Sequence, residues 1–434
     1  MTKFFIIFLI FIFVANCSLD TNSGIWTKNK KIVQEEQKII KLLFKDEEAL
    51  KTEFNPKLKI NLKGKLVNDS FINNLDNNNG RINYKGNLKK VSRFNFSKIE
   101  NFNDFEPEIL FSKNHVIFFD GKGSILKFDN SSKLIWKKNF YSKSEKKLKP
   151  VLFFASNKDT LVVADSIARY YAINIKTGEL LWSKNHSSHF NSQIKIYKDK
   201  FFVIDSQNVL MCYSLNDGSE IWKVKTEQSL IKSVKKLSLI INDNKVYFNN
   251  SMGDIASVDI KNGNLLWLTP TQSTEIIGQS FFLKSSNLIA NSNSIFLSNN
   301  KNEFFSLDLR TGILNWKNKI NSSLTPTIVN NFLFAVTLEG FLVVVDTQQG
   351  NIIRITDIFK QFKRKKRSKI KPVGFIVGSE NIYLTTDHGR LMIIEISSGK
   401  TISMLKIDND KISRPFVLNQ NLYIIKENSI IKLN

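Results

Sequence analysis

The chain has 434 residues, 42% of them hydrophobic and 12% aromatic, so it can bury a large core and would ordinarily form two or three domains unless a repeat fold holds it together. Only two cysteines are present, which excludes a disulfide-rich scaffold. The net charge of +24 fits contact with nucleic acid or anionic lipid, but an abundance of Lys, Asn, Ile and Phe, as an AT-rich genome gives, favours a lysine-rich solvated surface. We therefore expect no nucleic-acid partner.

The first residues, MTKFFIIFLIFIFVANC, predict a lipoprotein signal peptide over residues 1–16. The apolar run at residues 4–15 is too short for a helix of about 20 residues that spans a bilayer, but it is typical of a secretory signal. Cys17 follows Val-Ala-Asn, which resembles a bacterial lipobox whose cysteine is acylated. An ordinary cleaved signal peptide with an incidental cysteine is the alternative. Ser18, by its resemblance to bacterial lipoproteins, indicates the outer membrane.

Residues 17–84 are predicted to be an anchor and a partly helical linker. The stretch KKIVQEEQKIIKLLFKDEEAL has apolar residues at roughly helical spacing with charges between them, which predicts a short amphipathic N-terminal helix. The stretch NDSFINNLDNNNGR, residues 68–81, is rich in asparagine, and we expect it to be a loop or poorly ordered.

A hairpin pattern recurs along the rest of the chain, as in YYAINIKTGELLWSKN at residues 170–185. Each copy has a polar residue shortly before the turn, and these residues are spaced 38 to 49 positions apart, the period of propeller blades. The eight polar positions are Asp129, Asn174, Ser214, Asp259, Asp308, Asp346, Glu395 and Asn434. With four antiparallel strands in each repeat, the sequence predicts an all-β fold, an eight-bladed β-propeller over residues 85–434.

A tryptophan follows the turn in five of the eight repeats, and we predict that its indole fills the wedge between neighbouring blades. These blade-docking residues are Trp136, Trp182, Trp222, Trp267 and Trp316. Arg354 and Ser403 hold the corresponding place in the sixth and seventh repeats. The eighth repeat ends after its third strand, so the strand predicted within residues 86–96 is expected to complete that blade and close the ring.

The motif Ala-x-Asn-x-x-Thr-Gly-x-x-x-Trp at Ala172–Trp182, with SVDIKNGNLLW and SLDLRTGILNW, resembles the pyrroloquinoline-quinone-type propeller repeat. Eight such repeats behind a lipobox cysteine resemble the BamB family of the outer-membrane β-barrel assembly machinery. The resemblance implies a non-enzymatic scaffold, lipid-anchored in the outer membrane with its propeller facing the periplasm. It would bind the barrel-forming protein and support insertion of outer-membrane proteins, with no cofactor and no small-molecule substrate.

Three connections between blades are predicted to share one face, because each emerges on the side of the turn between the second and third strands of its blade. They are residues 223–236, 268–280 and 360–371. By resemblance in kind and position, the first two supply the partner-binding residues, which are Leu230, Ile231, Lys232, Ser273, Thr274 and Glu275. The third carries a basic loop of Lys363, Arg364, Lys365, Lys366 and Arg367, which is either a solvated charge run or a contact for anionic headgroups or an acidic patch of the partner.

A quinoprotein dehydrogenase on the same fold is the alternative function. Such an enzyme needs a metal held by carboxylates, and the family often adds adjacent cysteines. Cys212 stands alone in an apolar strand, where a buried free thiol is expected, and there is no C-x-x-C-H haem motif. His186 and His189 form a pair without a third ligand. The sequence therefore predicts no catalytic residues and no metal site.

Overall fold

The structure is a computed structural model that describes residues 50, 52–63, 77–227, 235–271 and 283–434. The described part is an eight-bladed propeller of four-stranded antiparallel sheets, which confirms the predicted fold. The predicted signal peptide lies outside the described residues, and so does all of the predicted N-terminal helix except Leu50.

Each of the first four blades is a meander of consecutive strands. Blades 1 and 2 contain β2 (Leu110–Ser112), β3 (His115–Phe119), β4 (Ile125–Phe128), β5 (Leu134–Lys138), β6 (Leu152–Ser156), β7 (Thr160–Asp165), β8 (Arg169–Asn174) and β9 (Leu180–Asn185). Blades 3 and 4 contain β10 (Lys195–Tyr197), β11 (Lys200–Ile204), β12 (Val209–Ser214), β13 (Glu220–Lys225), β14 (Leu239–Asn242), β15 (Lys245–Asn249), β16 (Ile255–Asp259) and β17 (Leu265–Thr269).

The same order continues through blade 7, and blade 8 takes its outer strand from the N-terminal side. Blades 5 and 6 contain β18 (Ile289–Ala290), β19 (Ser294–Asn299), β20 (Glu303–Asp308), β21 (Leu314–Asn318), β22 (Thr327–Val329), β23 (Phe332–Val336), β24 (Phe341–Asp346) and β25 (Ile352–Asp357). Blades 7 and 8 contain β26 (Pro372–Val377), β27 (Asn381–Thr386), β28 (Arg390–Glu395), β29 (Thr401–Lys406), β30 (Phe416–Leu418), β31 (Asn421–Lys426), β32 (Ser429–Leu433) and β1 (Lys90–Asn95). Among the described residues, two short helices, α1 (Lys143–Lys147) and α2 (Arg364–Arg367), lie in connections between blades.

The position of a strand within its blade determines its sequence pattern. The second and third strands are covered on both faces by neighbouring blades, so they read as continuous apolar runs, such as TLVVAD in β7. The fourth strands form the outer wall and keep exposed residues, as in LLWSKN of β9. Stacking of the blades therefore buries a separate apolar cluster at each interface between neighbouring blades, apart from one cluster that spans blades 8, 1 and 2.

In blades 1 to 7 the recurring polar residues stand just before the turn between the third and fourth strands. Asp308 Oδ1 accepts hydrogen bonds from the backbone N–H groups of Arg310 at 3.1 Å and Thr311 at 2.7 Å. Gly312 follows with a φ of +71°, a left-handed conformation that costs glycine little. The polar position and the glycine are thus two parts of one turn.

The ring closes between the N-terminal and C-terminal strands, as predicted. β1 pairs antiparallel with β32, and the backbones of Lys89 and Asn434 exchange hydrogen bonds of 2.8 and 2.9 Å beyond the strand ends. Phe94 is fully buried at this junction, with its ring edge-on to Phe128 of blade 1 at 5.5 Å. Lys432 Nζ also donates to the carbonyl oxygen of Asn130, at 3.0 Å, which ties blade 8 to blade 1.

Candidate functional site

A cavity of about 530 Å³ opens at the centre of the ring, on the face that carries the connections between blades. Its wall contains residues from the turns between second and third strands, such as Ser166, Gln207 and Ser251, and residues from the connections themselves. Apolar and cationic side chains share the lining, among them Phe105, Phe153, Phe190, Leu237, Lys235, Lys236, Lys284 and Lys411. The cavity therefore combines an apolar wall with several positive charges.

Two ion pairs hold the charged part of this wall. Lys235 Nζ lies 3.2 Å from Glu106 Oε1 and donates to the carbonyl oxygen of Ser323 at 2.6 Å. Lys236 Nζ lies 2.8 Å from Glu108 Oε1, and both of these side chains are largely buried. The acidic residues come from the segment before blade 1 and the lysines from the connection after blade 3, so the pairs join distant parts of the ring.

Burial and charge act in opposite directions on these groups. Burial acts to raise the pKa of Glu106, but Lys235 and Lys236 outweigh it and hold that pKa below its ordinary value. Burial lowers the pKa of Lys235 despite its pairing with Glu106, and it also lowers the pKa of Lys411. Burial lowers the pKa of Arg414, close to Glu108 and Glu106, to about 10. Lys235 and Lys411 are partly shielded from water, so an additional anionic group in the cavity would stabilise their charged forms.

Residues 77–84 pass through the centre of the ring and touch the innermost part of five consecutive blades. Asn78 donates from its amide nitrogen to Gln193 Oε1 at 3.0 Å and to the carbonyl oxygen of Leu239 at 3.1 Å. Lys195, also buried, donates to Asn78 Oδ1 at 2.7 Å. Further contacts of this segment are with Leu288, Ile328 and Val377, which lie in blades 5, 6 and 7.

The segment leaves the ring on the face opposite the cavity. Arg81 donates to the carbonyl oxygens of Gly378 at 3.1 Å and Ser379 at 2.5 Å, in the turn between the first and second strands of blade 7. In an antiparallel blade this turn lies opposite the turn between the second and third strands. Residues 77–81 form a loop, as one of the two alternatives predicted, but Asn78 and Arg81 of this loop are buried. Their polar side chains find partners inside the channel, so asparagine content does not keep them in solvent.

Four of the five predicted blade-docking tryptophans donate their indole N–H to the next blade. The bonds run from Trp136 to Lys176 O (3.1 Å), Trp182 to Leu215 O (3.1 Å), Trp222 to Ile260 O (3.0 Å) and Trp316 to Thr347 O (3.1 Å). Each ring also lies against the turn glycine of that blade, where a Cβ would come within about 3 Å of the indole. Trp267 packs against Gly312 in the same way, but its Nε1 has no hydrogen-bond partner in the described structure.

In blade 6, Arg354 stands where blades 1 to 5 have the tryptophan. It also donates hydrogen bonds to the next blade, but from a guanidinium group. It is fully buried, and its guanidinium donates to the carbonyl oxygens of Ile396 at 2.9 Å and Ser397 at 2.5 Å in the turn of blade 7. A third bond of 3.0 Å goes to Leu58 O of the N-terminal segment. Burial lowers the pKa of Arg354 to about 10. The arginine thus joins two blades and the segment that precedes the propeller.

The predicted partner-binding residues Leu230, Ile231, Lys232, Ser273, Thr274 and Glu275, and the predicted anchor Cys17, all lie outside the described residues. The chain on both sides of the first two connections is described. Asn208, in a turn between second and third strands, donates to Glu227 O at 3.1 Å, and Thr271 donates to Gly253 O of the next such turn at 2.8 Å. Both connections therefore start on the face of the cavity.

The basic loop starts and ends on that same face. Ile358 N–H donates to Gly340 O, and Lys371 N–H donates to Asp387 Oδ1, so both ends contact turns between second and third strands. The backbone of Arg364 to Arg367 forms α2, and the side chains of Lys363, Lys365 and Lys366 are exposed. Arg367 differs, because it pairs with Asp357 at 2.5 Å and lies over the ring of Phe341 at 5.3 Å.

The remaining residues of interest have structural partners. Cys212 is fully buried, and burial raises the pKa of its thiol to about 12, as expected for a free core thiol. His186 lies 3.1 Å from Asp205 Oδ2 and stacks on Phe190, while His189 lines the cavity. Within the described ranges, no three His, Cys, Asp or Glu side chains form a group that could hold a metal ion. None of the described helices is long and apolar enough to cross a membrane.

The sequence did not reveal the cavity residues Glu106, Lys235, Lys284 and Lys411. They are spread over residues 106–411, and each is an ordinary charged residue in a connection. One sequence signal could have found them: all four residues stand four or five positions before the first strand of a blade. The first strands line the centre of the ring, so these residues meet there.

No curated protein matches the chain in sequence. Among solved structures, BamB from Moraxella catarrhalis is similar, with a TM-score of 0.64, 15% identity, and coverage of 80% of this chain and 99% of that one. The quinohemoprotein alcohol dehydrogenase from Comamonas testosteroni gives a TM-score of 0.61 at 10% identity, covering 82% of this chain and 78% of that one. A europium-containing methanol dehydrogenase gives 0.64 at 10% identity, with 82% and 89% covered. At such identities these likenesses show a shared fold, which hosts both a scaffold and enzymes.

The family comparison is more specific than the fold. The profile described as outer membrane protein assembly factor BamB matches residues 121–356, which is more than half of the chain. The match runs from the first blade to the end of the sixth, through all five tryptophans and Arg354. On this match, the chain belongs to the BamB family of outer membrane protein assembly factors.

Proposed function

We propose that this protein is a non-enzymatic scaffold subunit of the outer-membrane β-barrel assembly machinery. It binds the barrel-forming protein of that machinery and supports insertion of outer-membrane proteins. The observation that carries the proposal is the family match over residues 121–356. The similar BamB structure supports it, since almost the whole of that chain superposes on the propeller.

The partner would bind the face that carries the cavity. Leu230, Ile231 and Lys232, with Ser273, Thr274 and Glu275, are the proposed contacts, because their connections begin on that face. Lys363, Lys365 and Lys366 are exposed on the same face and would meet an acidic patch of the partner or anionic headgroups.

The protein would sit at the outer membrane, attached through acylated Cys17, with the propeller in the periplasm. Acyl chains supply about 0.8 kcal/mol for each buried CH₂, so a lipidated cysteine holds a soluble propeller at a bilayer. Replacement of Cys17 by Ala should release the protein from the membrane fraction after a high-salt wash. Retention of the variant with the membranes would overturn the anchor.

Affinity purification from detergent-solubilised membranes tests the proposed role. The tagged protein should retain the barrel-forming protein, and replacing residues 230–232 with Ser and residues 273–275 with Ala should abolish that retention at unchanged melting temperature. The control replaces Lys261 and Asn262 by Ser, in a hairpin turn on the opposite face. Equal retention by the test variant and the control would contradict the proposed binding face. Absence of any barrel protein from the wild-type sample would overturn the role itself.

A quinoprotein dehydrogenase remains the contrasting function, since two dehydrogenases share the fold. Purified protein incubated with pyrroloquinoline quinone and Ca²⁺ should show no alcohol-dependent dye reduction above that of the quinone alone. Turnover of a primary alcohol would replace the scaffold proposal with an enzymatic one.

A further inference from the structure

The outer edge of blade 6 carries an extended segment of the chain itself. Phe54 N–H donates to Ile355 O at 3.1 Å, and Ile355 N–H donates to Phe54 O at 2.8 Å, which makes an antiparallel bridge to β25. Asp357 N–H donates to Glu53 Oε1 at 3.1 Å, and Lys360 Nζ lies 3.7 Å from the other oxygen of that carboxylate. Residues 53–55 thus add a single antiparallel bridge to the outer edge of the blade.

The edge that this segment pairs with is apolar, and Ile355 is buried in the cluster between blades 5 and 6 that also contains Trp316. Ile355 is only 4% exposed although it belongs to an outer strand. Ile352 is partly buried, and Leu50 packs against the same cluster. A free strand edge with apolar side chains is a template for pairing, and here the chain occupies it with its own segment.

Blade 7 has the same edge, but no described segment occupies it. Ile355 pairs with Val343 in blade 6, and Met404 pairs with Met392 at the equivalent register in blade 7. In a strand, the N–H and C=O of one residue point to the same neighbouring strand, and those of the next residue point to the other side. Ile355 directs both groups away from β24. Met404 has the same register in blade 7, so its N–H and C=O point away from β28. β29 is the last strand of its sheet in the described structure.

The apolar surface of this edge is exposed. Met404 is 42% exposed, against 4% for Ile355, and Ile402, two residues earlier on the same strand, is 58% exposed. Lys400 and Lys406 flank the pair and are also exposed. This pattern, two alternate apolar residues between two lysines, matches an extended segment with alternate apolar residues and terminal carboxylates.

The other outer strands lack this combination. The position equivalent to Ile355 is the residue after the tryptophan, which is a lysine in blades 1, 3 and 5 and a serine in blade 2. In blade 4 it is Leu268, which already packs against the blade's own cluster. In the described structure, blade 7 is therefore the one blade whose fourth strand has a free outer edge and two exposed apolar side chains at alternate positions, one of them at the position of Ile355.

We propose that the β29 edge of blade 7 binds an extended segment of a partner polypeptide by adding it as a fifth strand. The segment would carry apolar residues at alternate positions and a carboxylate next to them, as Glu53 and Phe54 do on blade 6. This inference depends on the blade geometry and not on the proposed assembly role, so the pull-down described above and the experiment below can fail independently.

The probe is a fluorescently labelled nine-residue peptide with phenylalanine or valine at alternate positions and a glutamate at each end. Its control has the same sequence with the outward amides N-methylated. We expect the probe to bind the full propeller in fluorescence anisotropy and the control peptide to bind at least about tenfold more weakly. In hydrogen exchange followed by mass spectrometry, the probe should slow exchange of the amides of β29.

Two proline variants locate the site. Met404→Pro removes the outward N–H of β29, a change that edge strands tolerate, and should weaken probe binding at least about tenfold. Lys223→Pro removes the equivalent outward N–H in blade 3 and should leave binding unchanged. Equal effects of the two substitutions, or no protection of β29 in the wild-type protein, would overturn the proposal. A dimer in sedimentation analysis that Met404→Pro dissociates would also overturn it, in favour of a second copy as the occupant.

Discussion

Arg354 donates to the carbonyl oxygen of Ile396 across the interface between blades 6 and 7, at 2.9 Å, in the place where Trp316 reaches Thr347 one blade earlier. Replacing Arg354 by Leu should leave the carbonyl oxygens of Ile396, Ser397 and Leu58 without this donor. We expect a loss of about 1–3 kcal/mol in the free energy of unfolding, measured by chemical denaturation.

The variant Arg354→Trp provides the matched comparison. Its indole N–H can replace one donor, so unfolding should be less affected than in Arg354→Leu, while the bond to Leu58 is lost. Limited proteolysis should then cut residues 52–63 faster than in the wild type. Equal stability of all three proteins would show that the guanidinium contributes nothing at this interface.

The tryptophans give a pair of substitutions with different expected outcomes. Trp222→Phe removes the bond to Ile260 O and should destabilise the protein by about 1 kcal/mol more than Trp267→Phe. Trp267→Phe also loses packing, but it removes a buried N–H that has no acceptor in the described structure. Removing this unpaired polar group is favourable and offsets part of the lost packing. Thermal unfolding of both variants checks the order, and a larger loss for Trp267→Phe would refute the account.

Ring closure should be sensitive to Phe94. Phe94→Ala removes a fully buried ring at the junction of blades 8 and 1 and should cost about 3–5 kcal/mol. Val91→Ala, on the same strand at a residue 53% exposed, is the control and should change stability by less than about 0.5 kcal/mol. Deleting residues 86–96 should expose the edge of β32 and cause aggregation, measured by light scattering. A monomeric deletion variant with unchanged melting would contradict closure by this strand.

The Glu106 carboxylate should make the free energy of unfolding depend on pH. Its folded pKa lies below the ordinary value of 4.5, so its ionised form stabilises the fold above that pH, and the contribution is lost as the pH falls through the folded pKa. Glu106→Gln should therefore melt at a lower temperature than the wild type at neutral pH, and the difference should shrink below about pH 4.5. Glu179→Gln, at an exposed turn, is the control. A difference that stays constant with pH would show that the carboxylate charge is not involved.

The basic loop should separate into two functional parts. Replacing Lys363, Lys365 and Lys366 with Gln should weaken binding to anionic vesicles at low salt without changing the melting temperature, because these side chains are exposed. Arg367→Gln should instead lower the melting temperature, since Arg367 contacts Asp357 and Phe341. Unchanged vesicle binding by the triple variant would leave the three lysines as solvated charges.

The repeat made the fold predictable from sequence. Turn residues such as Asp308 and Gly312 are local signals, and repetition of such a turn through blades 1 to 7 defines the period of the ring. The candidate site was much less predictable. Lys235 and Glu106 become neighbours only when the ring closes, and Asn78 is buried because three blades supply its partners, which no local pattern records.

Pairing of β1 with β32 affects how the protein folds during its synthesis. β1 is the first propeller strand to leave the ribosome, yet its partner, at Ser429–Leu433, follows only after blades 1 to 7 have been synthesised. Contacts so distant in sequence form slowly, so the nascent chain has to keep Phe94, the one buried residue of β1, from aggregating while the intervening blades are synthesised. A holdase chaperone that delays aggregation of the incomplete ring should therefore increase the yield of folded protein more than a catalyst of any local step.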